Sequence, residues 1–143
     1  MTKSLKIAVV TMSLLISGEF SIAAEETRQL VQIPEKMQQH MMSNMRDHLR
    51  AINEILGYMG DAELDKAADV AEYRLGMSSL NSHGAERMAE FMPEGMRQAG
   101  TSMHRSASRF ALKAQEGDLL AAYQMLADIT AACVACHAGY RIR

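Results

Sequence analysis

DLLAAYQMLADITAACVACHAGYRIR, residues 118–143, closes the chain and governs how the rest of it is read. Gly117 ends whatever precedes it, and Asp118 is a good helix N-cap. From there Leu119, Ala122, Tyr123, Leu126, Ile129, Cys133, His137 and Tyr140 recur at mostly three- and four-residue steps. That spacing predicts a helix with one inward face. Cys133 and Cys136 lie three residues apart and His137 four after Cys133, so two thiols and an imidazole share one side of the helix.

Those three side chains carry the chemistry. Thiols one helical turn apart can add to two vinyl groups along one edge of a haem, and the adjacent imidazole can bind its iron. Cys133-Val134-Ala135-Cys136-His137 is the haem-attachment pattern, and it uses the only two cysteines in the chain. A thioredoxin-like redox pair would want a βαβ context, and no strand pattern is visible. Structural zinc would want four ligands. A Cys133–Cys136 disulfide would close a tiny loop and staple nothing.

Upstream the helical reading continues. A first helix is predicted from near Pro34 to about Met59, with Met42, Met45, Leu49, Ile52, Leu56 and Met59 as its inward stripe. Gly60-Asp61 stops it. A second runs from about Ala62 to Leu80, with Leu64, Ala67 or Ala68, Ala71 and Leu75 inward; Gly76 marks a fraying end or a close approach. His83-Gly84 breaks the pattern before a short turn of helix around Glu86 to Phe91. A third long helix spans about Pro93 to Gln115, with Met96, Ala99, Met103, Ala107, Phe110 and Ala114 on one face. Four helices joined mostly by short turns predict an all-α, antiparallel four-helix bundle enclosing a covalently bound haem. Aromatic residues make up only 5% of the chain and many inward positions are Ala, so the interior is thin. A buried porphyrin would fill it, at about 25 cal/mol per Å² removed from water.

The N-terminus reads as an export signal. Lys3 and Lys6 precede an apolar run from Ile7 to Ser17, and Ser21 and Ala23 are the small residues a signal peptidase needs. Residues 1–23 are therefore expected to be removed and 24–143 to form one periplasmic domain. A retained anchor would need about 20 apolar residues, and Gly18 and Glu19 interrupt the run. Without Lys3, Lys6 and Glu19 the chain has 13 basic and 16 acidic residues, a net charge of −3. Nothing in that balance favours nucleic acid, which calls for a basic patch. No second apolar stretch is expected to cross a membrane.

The ending Cys133-Val134-Ala135-Cys136-His137-Ala138-Gly139-Tyr140-Arg141 resembles that of the cytochrome c′ family and its low-spin relatives, four-helix bundles with the haem motif near the end of the last helix. The resemblance extends over residues 24–143 in helix order and length, but only this ending is a specific motif. It implies one haem c held by Cys133 and Cys136, His137 as an axial iron ligand, and Arg141 beside the proximal haem face. It further implies that a methionine of the first helix is the sixth ligand in low-spin members, and aligned stripes put Met42 there. Met41, Met45 and His48 compete for that place, His48 weakly, since a surface or capped role suits it better. Family members often dimerise through the first two helices, although the outer faces here show no clear second apolar stripe.

Three functions stay open at this stage. One is a periplasmic electron carrier with His/Met haem, acting on an unidentified redox partner protein. Another is a five-coordinate haem protein that binds small gases such as nitric oxide. The third is a helical copper-binding protein, suggested by the nine of 13 methionines that cluster with histidines around Met37 to His48 and from Met77 to His104. No nucleophile, acid–base pair or substrate pocket is legible, so no enzymatic activity is expected. Protein exported through a c-type maturation system should keep its haem through acid–acetone extraction. Mass spectrometry should give the chain from Ala24 plus one haem; an apo-protein with two free thiols refutes the motif reading.

Overall fold

The computed structural model describes residues 26–143. The export signal and its cleavage point fall on residues 1–25, outside the described residues. The described chain is mostly helical: β1 (Gln29–Leu30), α1 (Glu35–Gly60), α2 (Leu64–Arg74), a 3-10 turn (Met77–Ser79), α3 (Ala85–Ala89), α4 (Glu94–Gln115), α5 (Leu119–Gly139) and β2 (Tyr140–Arg141). Pro34 and Pro93 stand just before α1 and α4 in extended backbone, where a missing N–H costs nothing. Asp118 caps α5, its carboxylate accepting the Ala121 N–H at 3.0 Å.

α2 is shorter than expected, ending at Arg74 rather than Leu80. The cause is the close approach of Gly76. A Cβ there would lie 2.6–2.8 Å from the Glu72 carboxylate, the Glu72 carbonyl and the Ser108 hydroxyl. The chain turns against α4 instead, and the Met77 N–H donates to Ser108 Oγ at 2.9 Å.

Helix α1 packs on α2, α2 on α4 and α4 on α5, whereas α1 and α5 make no comparable backbone approach. This changes which face of α1 is buried. Met41, Ala51, Ile55 and Met59 point inward, while Leu49 is 72% and Leu56 45% exposed. With one close helical partner the buried arc is narrow, and the two leucines of the expected stripe fall outside it. They line a shallow outer groove with Ile52, so α1 does carry an outward apolar strip. The α4 stripe is as expected at Met96, Met103, Ala107, Phe110 and Ala114, with His104, Ser106 and Ala111 also buried.

Apolar residues surround α5 rather than keeping to one stripe. Ala122, Leu126 and Ile129 are buried, but Leu119, Leu120, Tyr123 and Val134 are exposed. Contrary to the sequence expectation, α5 is long and apolar enough to cross a membrane by length and composition. Tyr140 does not extend the helix. It begins β2, which pairs in parallel with β1 through Gln29↔Tyr140 and Leu30↔Arg141. The Val31 N–H extends the pairing to the Arg141 carbonyl at 2.8 Å, and the Gln38 amide donates to the Ile142 carbonyl. Two-residue strands have no period to detect, which is why the sequence showed none.

Two buried clusters result. The larger unites α1, α2, α4 and α5 around Phe110, Ile55, Met59, Leu75 and Ile129, and eight of its 15 buried residues are alanine. Alanine faces let helix backbones come close, so this half of the interior closes without a porphyrin. The smaller cluster is Val31, Met41, Met88 and Met96, with Met37, Met45, Met92, Cys136 and Tyr140 packed against it. Phe110, fully buried, is the largest side chain at the alanine-rich end. Phe110→Ala should cost about 3–5 kcal/mol in a urea titration, since rigid helix contacts leave the cavity unfilled. A cost below about 1 kcal/mol would mean this end is not closely packed.

Candidate functional site

A cavity of about 390 Å³ opens at the methionine-rich end, bounded by α1, α3, α4 and the end of α5 with its tail. Its size suits a small-molecule or cofactor site. Met41, Met42, Met45 and His48 line it from α1, Cys136 and His137 from α5, and Tyr140 and Arg141 from the tail. Four of the sequence-predicted residues, Met42, Cys136, His137 and Arg141, thus share one space. Cys133 does not line it. Half-buried, it packs against the larger cluster, while Cys136 packs against the smaller one. The two thiols straddle the boundary between the clusters.

Burial pushes both thiols up from their ordinary value, with the neighbouring thiol adding to the effect at Cys136. A redox-active pair needs the opposite, a thiolate stabilised near neutral pH. His137 is exposed at the last turn of α5, and both cysteines are free thiols. Arg141 carries an unusual feature: its Nε is buried without a hydrogen-bond partner, and the Glu26 carboxylate approaches only to 3.9 Å. A buried guanidinium N–H without an acceptor is costly.

No family model, curated protein or solved structure matches this chain. Function must be argued from the site itself.

The sequence reading missed the opposite wall. His48 from α1, His83 from the loop before α3 and His104 from α4 form one cluster, with ring centroids 4.8 Å (His48–His83), 5.4 Å (His83–His104) and 6.1 Å (His48–His104) apart. All three line the same cavity. His48 is not the surface or capped residue expected, for its Nε2 is buried with no partner. The signal was available in the α1 spacing: Met41, Met45, His48, Ile52, Ile55 and Met59 run at helical steps, with His48 in an apolar place. Among the described residues no group of three His, Cys, Asp or Glu side chains is already arranged to hold a metal ion.

The loop that carries His83 is pinned to α1. His40 Nε2 lies 2.9 Å and Asn44 Nδ2 3.1 Å from the His83 carbonyl. Gly84 follows with φ +62°, a left-handed backbone that favours glycine. Burial pushes His48 down to about 4, helped by His83 and His104, and lowers His83 and His104 as well. Asp47 opposes the shift at His48, but its carboxylate is held by Arg74 at 2.7 and 3.2 Å.

These shifts set a pH dependence. Between the usual 6.5 and about 4 the unfolded chain binds protons that folded His48 does not. Stability is full above 6.5 and declines as pH falls through that window. Metal-free protein titrated with urea at pH 8, 6.5 and 5 should lose stability stepwise, and His48→Gln should flatten the trend. Equal stability at pH 8 and 5 would contradict a neutral buried imidazole.

Proposed function

We propose that this chain is an exported c-type cytochrome, an antiparallel four-helix bundle enclosing one haem c, that carries electrons in the periplasm with His/Met-ligated iron. One observation carries the reading: Cys136 and His137 of the attachment motif line a cavity that also holds three α1 methionines and the unpartnered Nε of Arg141. The residues fit the group. Two free thiols stand one turn apart, an imidazole follows, and the partly buried Arg141 keeps one N–H that an acid such as a haem propionate would satisfy.

When bound, haem supplies one-electron exchange between ferric and ferrous iron. Cys133 and Cys136 would hold the group covalently through their thiols. His137 would bind its iron through the imidazole. Arg141 would balance a carboxylate of the group. The sixth ligand is assigned to Met42 on a packing argument. Met41 is buried in the smaller cluster and Met45 packs against it, whereas Met42 lines the cavity without belonging to either cluster. Its thioether is therefore the one not committed to packing. A soft sulfur ligand favours ferrous iron and raises the potential, as suits a carrier.

The oxidised protein should then be low-spin, with a weak sulfur-to-iron band in the far red. Met42→Leu should abolish that band, give high-spin iron, lower the potential and open the iron to carbon monoxide. A wild-type spectrum that is already high-spin, with ready carbon monoxide binding, would replace the carrier by a gas-binding protein. If only Met41→Leu or Met45→Leu removes the band, the carrier stands and the Met42 assignment fails.

A further inference from the structure

We propose that His48, His83 and His104 form a second metal site that binds one Cu(I) ion through their three Nε2 atoms. The site shares no residue with the α5 motif, although its three histidines line the same cavity.

The ring spacing is the first support. Metal–nitrogen bonds of about 2.0 Å put imidazole centroids roughly 3 Å from an ion and about 5 Å from each other in a three-ligand site. The observed spacings of 4.8, 5.4 and 6.1 Å bracket that value. Interplanar angles of 58°, 39° and 89° rule out a parallel stack. The three side chains are not yet arranged to hold an ion, so binding has to tilt the rings while His104 and His83 keep their Nδ1 contacts.

Hydrogen bonds decide which nitrogens are free. His104 Nδ1 lies 2.6 Å from the Leu75 carbonyl, which can only accept, so Nδ1 carries the proton and Nε2 a lone pair. The Ser79 hydroxyl donates to the Gly76 carbonyl at 2.7 Å and therefore accepts from His83 Nδ1 at 3.3 Å. His83 Nε2 is thus also a lone-pair donor. His48 Nε2 is the buried atom without a partner. Backbone or hydroxyl support on the far ring nitrogen is the usual means of orienting a metal-binding imidazole.

Charge and softness select the ion. The three ligands are neutral, and Asp47, the nearest carboxylate in sequence, is taken by Arg74. A divalent ion would bring two charges into a largely apolar pocket with no anionic ligand. A monovalent ion halves that burden, and the thioethers of Met45 and Met103 on the same cavity suit soft Cu(I).

The test is anaerobic titration of the isolated protein with Cu(I) against a chromophoric chelator, after alkylating any free thiol. One equivalent should bind. His48→Leu, His83→Leu and His104→Leu should each weaken binding more than about 100-fold, and Ser79→Ala, which removes the His83 ring support together with the bond to the Gly76 carbonyl, about 10-fold. Met77→Leu, on the exposed 3-10 turn, should leave it unchanged. Because a histidine variant can fail to fold, copper K-edge absorption of the wild type gives a second readout: three imidazole nitrogens around copper. Sulfur-dominated scattering, retention of copper by the triple histidine variant, or tighter binding of Zn(II) than Cu(I) would each overturn the assignment.

Discussion

Alanine at one end of the helices and methionine at the other is the constraint on which the rest of this structure depends. Ala51, Ala67, Ala68, Ala71, Ala107, Ala114 and Ala122 are almost completely buried and let α1, α2, α4 and α5 close around Phe110 and Ile55. Past that level the inward positions become Met41, Met45, Met88, Met96 and Met103, with His48 and His104. These longer side chains border the cavity. Flexible thioethers fill irregular space without demanding one geometry. The molecule thus has a closely packed end and an adaptable end, and its chemistry lies in the second.

The two short strands matter for the same reason. With α1 and α5 apart, the cavity would be open at the end of α5. Pairing of Gln29–Leu30 with Tyr140–Arg141, and the hold of Gln38 on the Ile142 carbonyl, tie the N-terminal segment and the tail to α1. Arg141 is carried by that pairing to the cavity wall, where its Nε is sequestered from solvent. Gly95 on α4 makes room for the tail, since a Cβ there would run into the Tyr140 hydroxyl. The Glu26 carboxylate, 3.9 Å away, is the acidic group beside the Arg141 Nε.

Electrostatically, the cavity separates two chemistries. The α5 side offers thiols, an exposed imidazole and a cation. The side facing α4 and the His83 loop offers imidazoles held neutral by burial. The nearest charged pair to them, Asp47 and Arg74, is self-compensating, and Glu54 accepts a further bond from Arg74 at 2.6 Å. That network leaves the imidazoles without a strong field from either sign. Local desolvation is what keeps them unprotonated.

The long helices, their proline starts, the Asp118 cap and the α4 face were legible from sequence, because each rests on local spacing or a local hydrogen bond. Spacing put Cys133, Cys136 and His137 on neighbouring turns of α5, but did not show which of them reaches the cavity: Cys136 and His137 line it and Cys133 does not. The burial phase of α1 was not, because Leu49 and Leu56 fit a helical stripe as well as Met41 and Ile55 do. Which stripe is buried depends on the partner, and α1 has α2 beside it but not α5. Nor could spacing bring together His48, His83 and His104, which lie on three elements and meet only because Gly76 turns the chain against α4. Periodicity therefore determined what each segment is. Contacts between segments distant in sequence decided which side chains share the cavity, since burial and hydrogen-bond supply there are set by neighbours no local pattern contains.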